Sequence, residues 1–389
     1  MNAGRFVLSQ VLDLVHRQTL DRLVRRYNAD SRVRHFGCRQ QFICMAFAQL
    51  TWRDGLRDIV TCLNAKPSAL HHLGFRGPVA RSTLADANEQ RDWRIWEDLA
   101  KGLIRKARVL YAGEDLGVEL DNTVYALDSS TIDLSLTLFP WADFRRTKSG
   151  IKLHTQIDLR GPIPTCIHIT DARQHDVAWL DTLCFEPGSL YVMDRGYMDF
   201  SRLNTIATAG GFFVTRAKSN LRFTRQRSLP IERLTGLRSD HVGKPTLKKA
   251  RQAYPGLLRK IRYYDSDTRR ELVFLTNNLD IPALSVAKLY RLRWRIELFF
   301  RWIKQHLRIK HYYGTSPNAV KTQIWIAVAV YLMVAILHKQ LRLPGALNRT
   351  LQILSVHPFE KVALNQLLTE TDFRTMGEQD HNQLMLWDL

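Results

Sequence analysis

The feature that most constrains this chain is an unbroken apolar run, "IWIAVAVYLMVAIL", from Ile324 to Leu337. It is 14 residues long, short of the roughly 20 that a helix needs to cross a bilayer. A helix that is apolar all round has to be enclosed by protein, so a buried helix of the core is expected here. The rest of the chain can supply the walls: 389 residues allow about two or three domains, and 45% hydrophobic content excludes a disordered chain.

Charge narrows the partner. With 57 basic residues against 37 acidic ones the formal charge is +20, which makes an enzyme of neutral small molecules a poor default and points to a polyanion, nucleic acid first. Five cysteines (Cys38, Cys44, Cys62, Cys166, Cys184) are an odd number with no CxxC pair, so neither a zinc ribbon nor a disulfide framework is supported. That suits a reducing cytoplasm. The start, "MNAGRFVLSQVLDLVHRQ", reads as an amphipathic helix rather than a signal peptide, and no membrane partner is expected. GxxxxGK, GxGxxG, HExxH and GxSxG are all lacking, so no nucleotide cofactor is expected either.

Apolar residues at three- and four-residue spacing make residues 1–115 helical, in "RQQFICMAFAQLTWRDGLRDIVTCLNA" and "TLADANEQRDWRIWEDLAKGLIRKA", with the breaker-rich "KPSALHHLGFRGPVARS" between them. Ser82 or Thr83 is the expected N-cap after that break, with Arg76, Arg81, Arg91 and Arg94 nearby. A helix-turn-helix reader of DNA and an ordinary bundle with a basic surface both satisfy this pattern. From Thr123 the texture changes to short β-branched or alternating runs: "TVYALDSSTIDLSL", "KLHTQIDL", "PTCIHITDA", "SLYVMDRGY" and "GFFVTRA". A helical piece, "DVAWLDTLC", precedes the fourth and a helix over 201–209 follows it, which predicts a mixed α/β layer. Residues 219–285 read as a basic, β-rich insertion, and the tail after Pro344 carries helical patches.

One stretch, "LYRLRWRIELFFRWIKQHLRIK" (289–310), sets a single carboxylate, Glu297, among seven cations. As one helix at 100° per residue, Tyr290, Arg293, Glu297 and Lys304 fall within about 60° of one another, opposite an apolar stripe of Leu292, Ile296, Phe299, Ile303 and Leu307. Glu297 either pairs with Arg293 and Arg301 on a solvated face or holds something more positive than an arginine. Partners for the second reading are acids at strand ends or on buried strands, because an unpaired carboxylate there is costly unless it binds something. Asp128 in "YALDSST" and Asp194 in "YVMDRGY" both follow apolar runs, whereas Asp133, Asp158, Asp171 and Asp176 sit at strand edges or turns.

Asp128, Asp194 and Glu297 in this order, with Tyr290, Arg293, Glu297 and Lys304 at their spacing, resemble the DDE transposases of the IS4 family and their Y-R-E-K signature. The run "RWRIE" is similar to the Tn5-like branch, and "ALDSSTIDL" and "YVMDRGY" extend the resemblance over roughly 120–340. It implies an RNase H-like catalytic core (116–218 and 286–343) interrupted by a mainly β insertion domain (219–285). An all-helical N-terminal DNA-binding region (1–115) precedes this core and a helical C-terminal region (344–389) follows it. It also implies that Asp128, Asp194 and Glu297 are the catalytic residues and the ligands of two Mg²⁺ or Mn²⁺ ions. Tyr290, Arg293 and Lys304 would contact DNA phosphate. Trp294 is either a base-stacking residue or a rim packing residue, and Arg145, Arg146 and Lys148 form either a phosphate-gripping loop or a solvated one.

The activity so implied is cut-and-paste transposition of a bacterial insertion sequence: hydrolysis and transesterification at the terminal inverted repeats, then strand transfer into target DNA, by a homodimer in the synaptic complex. A cytoplasmic, nucleoid-associated enzyme is expected. In Tn5-like relatives an aromatic pocket of the insertion holds a flipped base during hairpin formation; here no Trp lies between Trp179 and Trp294, which leaves Tyr263, Tyr264 or Phe274. Two rivals are an RNase H-like nuclease without strand transfer and a non-catalytic DNA-binding regulator.

Overall fold

The computed structural model describes residues 4–135, 137–145, 148–161, 163–306 and 312–369. Among these residues seven helices come first: α1 (Val7–Leu12), α2 (Arg17–Arg26), α3 (Cys38–Leu50), α4 (Leu56–Asn64), α5 (Pro67–His72), α6 (Arg81–Gln90) and α7 (Arg94–Tyr111). Each long amphipathic stretch of the sequence is thus two helices, broken at Thr51–Gly55 and at Arg91–Trp93. The expected cap at Ser82 or Thr83 is corrected: α6 already begins at Arg81, behind Ala80, without a side-chain cap.

The apolar run lies in α12 (Pro317–Gln340), ten residues longer than the run itself, opened by Pro317 and by Ser316, whose hydroxyl accepts from the Ala319 amide. By length and composition this helix could cross a membrane, yet 94% of its most apolar window is buried inside the protein. The walls are α1, α3, α6, α7, α11 (Trp294–His306) and α13 (Leu347–Val356). The N-terminal helices therefore share one apolar core with the C-terminal half, and α14 (Leu364–Thr369) adds Leu364 and Leu368 to it.

Among the described residues ten strands form one sheet: β1 (Val124–Leu134), β2 (Asp143–Arg145), β3 (Lys148–Asp158), β4 (Ile163–Asp171), β5 (Leu190–Met193), β6 (Phe212–Arg216), β7 (Phe223–Ser228), β8 (Leu237–Pro245), β9 (Leu258–Asp265) and β10 (Arg270–Thr276). Their order is β2-β3-β1-β5-β6-β10-β9-β8-β7, with β4 also on β3. β1, β5 and β6 run parallel, and the other pairings are antiparallel. The β-rich stretch after residue 219 is thus no detached module, because β10 pairs with β6 and continues the sheet.

Side chains alternate between the two faces of a strand. Val124, Ala126, Leu190 and Val192 face the core that holds α12, whereas Tyr125, Leu127, Tyr191 and Met193 face a second core. That second layer contains α8 (Phe200–Thr208), the 3₁₀ turn Asp176–Thr182 and Tyr254, just after α9 (Lys248–Ala253). "DVAWLDTLC" is therefore helical in the tighter 3₁₀ form.

Candidate active site

Asp128 and Asp194 are placed by this alternation. Leu127 pairs with Met193 across the parallel strands β1 and β5, so Asp128, midway along β1, stands beside Asp194, the first residue past the end of β5. Asp128 accepts from the Ser129 amide (2.8 Å). Asp194 accepts from the Gly196 amide (2.7 Å) and caps the turn Arg195–Tyr197. A Cβ on Gly196 would stand 2.9 Å from Asp194 Oδ1, so the carboxylate sits where only glycine leaves room.

Glu297 arrives from a helix laid over the same edge. Ile296, Phe299, Phe300, Trp302 and Ile303 of α11 are buried against β1, β3 and α12; at about 25 cal/mol per Å², each large side chain contributes roughly 1.5–3 kcal/mol to holding it there. The stretch 289–306 is not one continuous helix, however. α10 (Ala283–Leu292) ends at Arg293 and α11 starts at Trp294, and the amides of Arg293 and Ile296 bond three residues back, to Tyr290 (3.2 Å) and Arg293 (3.0 Å). This 3₁₀-like tightening turns Arg293 inward.

There its guanidinium joins two acids. Nη1 donates to Asp128 (2.9 Å) and Nη2 to Glu297 (2.5 Å), with only 15% of the Arg293 side chain exposed. Burial pushes the Asp128 carboxyl up to about 6, Arg293 opposes that rise, and the nearby charges of Asp194 and Glu297 add to it. So three acids lying 66 and 103 residues apart in the chain (194 − 128 and 297 − 194) meet in one electrostatic unit. Glu297 thus does pair with Arg293, in a half-buried site rather than on a solvated face; Arg301 instead lies over the exposed Trp294 ring at 5.8 Å.

Lys304 Nζ donates to the carbonyl of Thr131 (2.6 Å), three residues beyond Asp128 on β1. Tyr290 packs on Phe274 of β10 (5.1 Å), with Arg293 5.7 Å over its ring. Arg145 ends β2 and Lys148 begins β3, opposite each other in the hairpin; Arg146 lies outside the described residues. Among the other acids, Asp158 is buried beside Arg108 (3.8 Å) and Asp171 holds a turn. His175 is exposed at the start of the 3₁₀ turn, and Arg91 is buried in the bundle, donating to Gln41 (3.0 Å). By contrast Arg76, Arg81 and Arg94 are exposed.

Sequence reasoning missed two supporting residues. Gly196 was legible as the Asp-x-Gly turn signal of "MDRGY". Ser129, whose hydroxyl donates to Asp176 (2.6 Å), itself 2.9 Å from Lys152, carried no signal because these partners meet only across the sheet.

The site's donors are hard carboxylate oxygens, the set that Mg²⁺ or Mn²⁺ takes. Among the described residues no three of them stand close enough to hold an ion as they are. A cation nevertheless fits the electrostatics, since a guanidinium already bridges two of the acids and the third, Asp194, has no ion-pair partner among the described residues.

The family described as "Transposase DDE domain" matches residues 119–333, and one described as "Domain of unknown function (DUF4372)" matches 3–76. The chain is 34% identical over 275 residues to y4zB of Sinorhizobium fredii, named as a transposase, covering 68% of this chain and 72% of the relative. It is 27% identical over 215 residues (55% and 56%) to a chain named as the transposase of insertion sequence element IS5377, from Geobacillus stearothermophilus. With one from Synechocystis named for element IS4SA it shares 24% over 286 residues (69% and 75%). With a DDE domain over more than half its length, the chain belongs to the DDE transposases of insertion sequences, in the IS4 family.

Proposed function

We propose that this transposase frees its insertion sequence by metal-dependent phosphodiester hydrolysis and transesterification at the terminal inverted repeats, and joins the 3′ ends to target DNA. One observation carries the reading: Asp128, Asp194 and Glu297, from three distant segments, converge on one edge of the sheet around Arg293. The strand order β4-β3-β1-β5-β6 with parallel β1, β5 and β6 supports an RNase H-like core.

Asp128, Asp194 and Glu297 would hold two Mg²⁺ or Mn²⁺ ions. Bound ions would activate the attacking oxygen and stabilise the leaving one. The chain's own part is to orient. The amides of Ser129 and Gly196 fix the two aspartates, while the buried face of α11 fixes Glu297. Lys304 and Tyr290 lie on the rim where a DNA phosphate would pass, and Arg293 joins them once its acids are taken up. Trp294, 51% exposed, offers a stacking face to a base, and Arg145, Arg146 and Lys148 would grip the backbone. For a DNA-hairpin step the aromatic is Tyr263, which lines a cavity with Tyr290 and Trp294; Phe274 is buried, and Tyr264 lies under Arg238 (5.3 Å). Synapsis would use a homodimer on double-stranded DNA.

The test uses purified protein and a DNA carrying one transposon end. Asp128→Ala is expected to retard that DNA yet leave it uncut with Mg²⁺, whereas unimpaired cutting by this variant removes Asp128 from the mechanism.

A further inference from the structure

We propose that Arg293 is a built-in occupant of the carboxylate site. It holds Asp128 and Glu297 together while no ion is bound, and it exchanges with divalent cations when the site loads. The inference rests on the metal-site reading above and adds a regulation to it.

Three observations carry it. Arg293 reaches an acid 165 residues away on β1 and one four residues on in its own helix, so it closes the gap between α11 and the sheet edge. Its anchorage is incomplete, because Nε is buried without a hydrogen-bond partner among the described residues; the two carboxylates and Tyr290 are what hold it. It also sits where the helix bonding tightens to three-residue steps, a pattern that often marks a hinge. An exit adjoins it: a cavity of about 160 Å³ lined by Arg293 together with Tyr263, Asp265, Leu272, Tyr290 and Trp294.

Occupancy by one cation and by another exclude each other, so the two compete for the same acids. Ions freeing Arg293 give DNA a phosphate-binding guanidinium, and DNA phosphate holding Arg293 away gives the ions an open site. Ion and DNA binding then reinforce each other, each raising the other's affinity by the same factor.

The experiment titrates Mn²⁺ into the full chain without DNA, reading free Mn²⁺ by its paramagnetic resonance signal. Arg293→Gln is expected to bind Mn²⁺ at least about fivefold tighter than the wild type, the low end of ordinary site-to-site couplings. End-containing DNA should tighten Mn²⁺ binding in the wild type and not in the variant. Equal or weaker binding by Arg293→Gln, with Glu297→Gln still lowering Mn²⁺ affinity in the wild-type background, overturns the proposal and leaves the metal site standing. If Glu297→Gln and Asp128→Asn change nothing, the metal-site reading itself fails. Should Arg293→Gln not fold, Arg293→Lys decides: tighter Mn²⁺ binding than the wild type supports the exchange, and unchanged binding refutes it.

Discussion

Two arginines of this molecule each grip carboxylate, with opposite consequences. Arg259 on β9 faces Asp240 on β8 through Nε (2.9 Å) and Nη2 (2.6 Å), and its Nη1 donates to the carbonyls of Ile281 and Leu279. Both side chains are at most 5% exposed. One charge meets one charge and each of the three guanidinium nitrogens donates. Arg293 instead serves two acids with a third beside them, and it leaves Nε unsatisfied. The first arrangement is electrically closed and belongs to architecture. The second carries surplus negative charge, which is costly in a half-buried place unless something cationic comes to it. The difference teaches where to look for chemistry: at the arginine whose acids outnumber it.

The contrast can be broken at several strengths. Asp128→Asn or Glu297→Gln should lower end cleavage by about 10³-fold or more, since ion-assisted charge stabilisation is worth several kcal/mol at 1.36 kcal/mol per decade. Melting temperature in the absence of metal should hold or rise, as the surplus charge falls. Asp240→Ala should do the reverse: it strands a buried guanidinium and costs roughly 3–5 kcal/mol of stability, visible as a lower thermal midpoint, with cleavage per folded molecule unchanged. Gly196→Ala pushes a methyl against Asp194 Oδ1; displacements of this kind cost up to about 10²-fold in rate, and steady-state cleavage should drop with little change in melting.

The smallest effect is the pH dependence of the ion-free protein. Asp128 has its carboxyl pushed up to about 6 in the fold, above the ordinary carboxylate range of roughly 4. A raised acid stabilises the fold while it is protonated, so its contribution is complete below that range and is lost as pH rises through about 6. The wild type should therefore lose melting temperature relative to Asp128→Asn between pH 4 and 7, and Mg²⁺ should shrink the difference. A flat difference across that range would place Asp128 in a solvated setting.

Much of this was legible before folding. The alternation in "TVYALDSS" and "SLYVMD" puts both aspartates directly after buried runs, one midway along β1 and one just past β5, and the spacing in α11 gives Glu297 a polar face over an apolar one. The break at Arg293 was not legible, because helical periodicity persists through it and only hydrogen bonding changes. Nor was the union of the β-rich insertion with the core sheet, since the side of β6 that β10 covers would accept any partner of fitting register.

What the sequence determined by itself is therefore periodic and local: which residues face inward, where buried runs end in acid, and that 14 consecutive apolar residues must be walled in by protein. Tertiary structure alone decided who meets whom. Arg293 had one acid, Glu297, in its own stretch, and it also took Asp128, 165 residues away, because α11 packs on β1. Burial then made that choice matter, for in a half-buried site the attraction between charges is screened less by water.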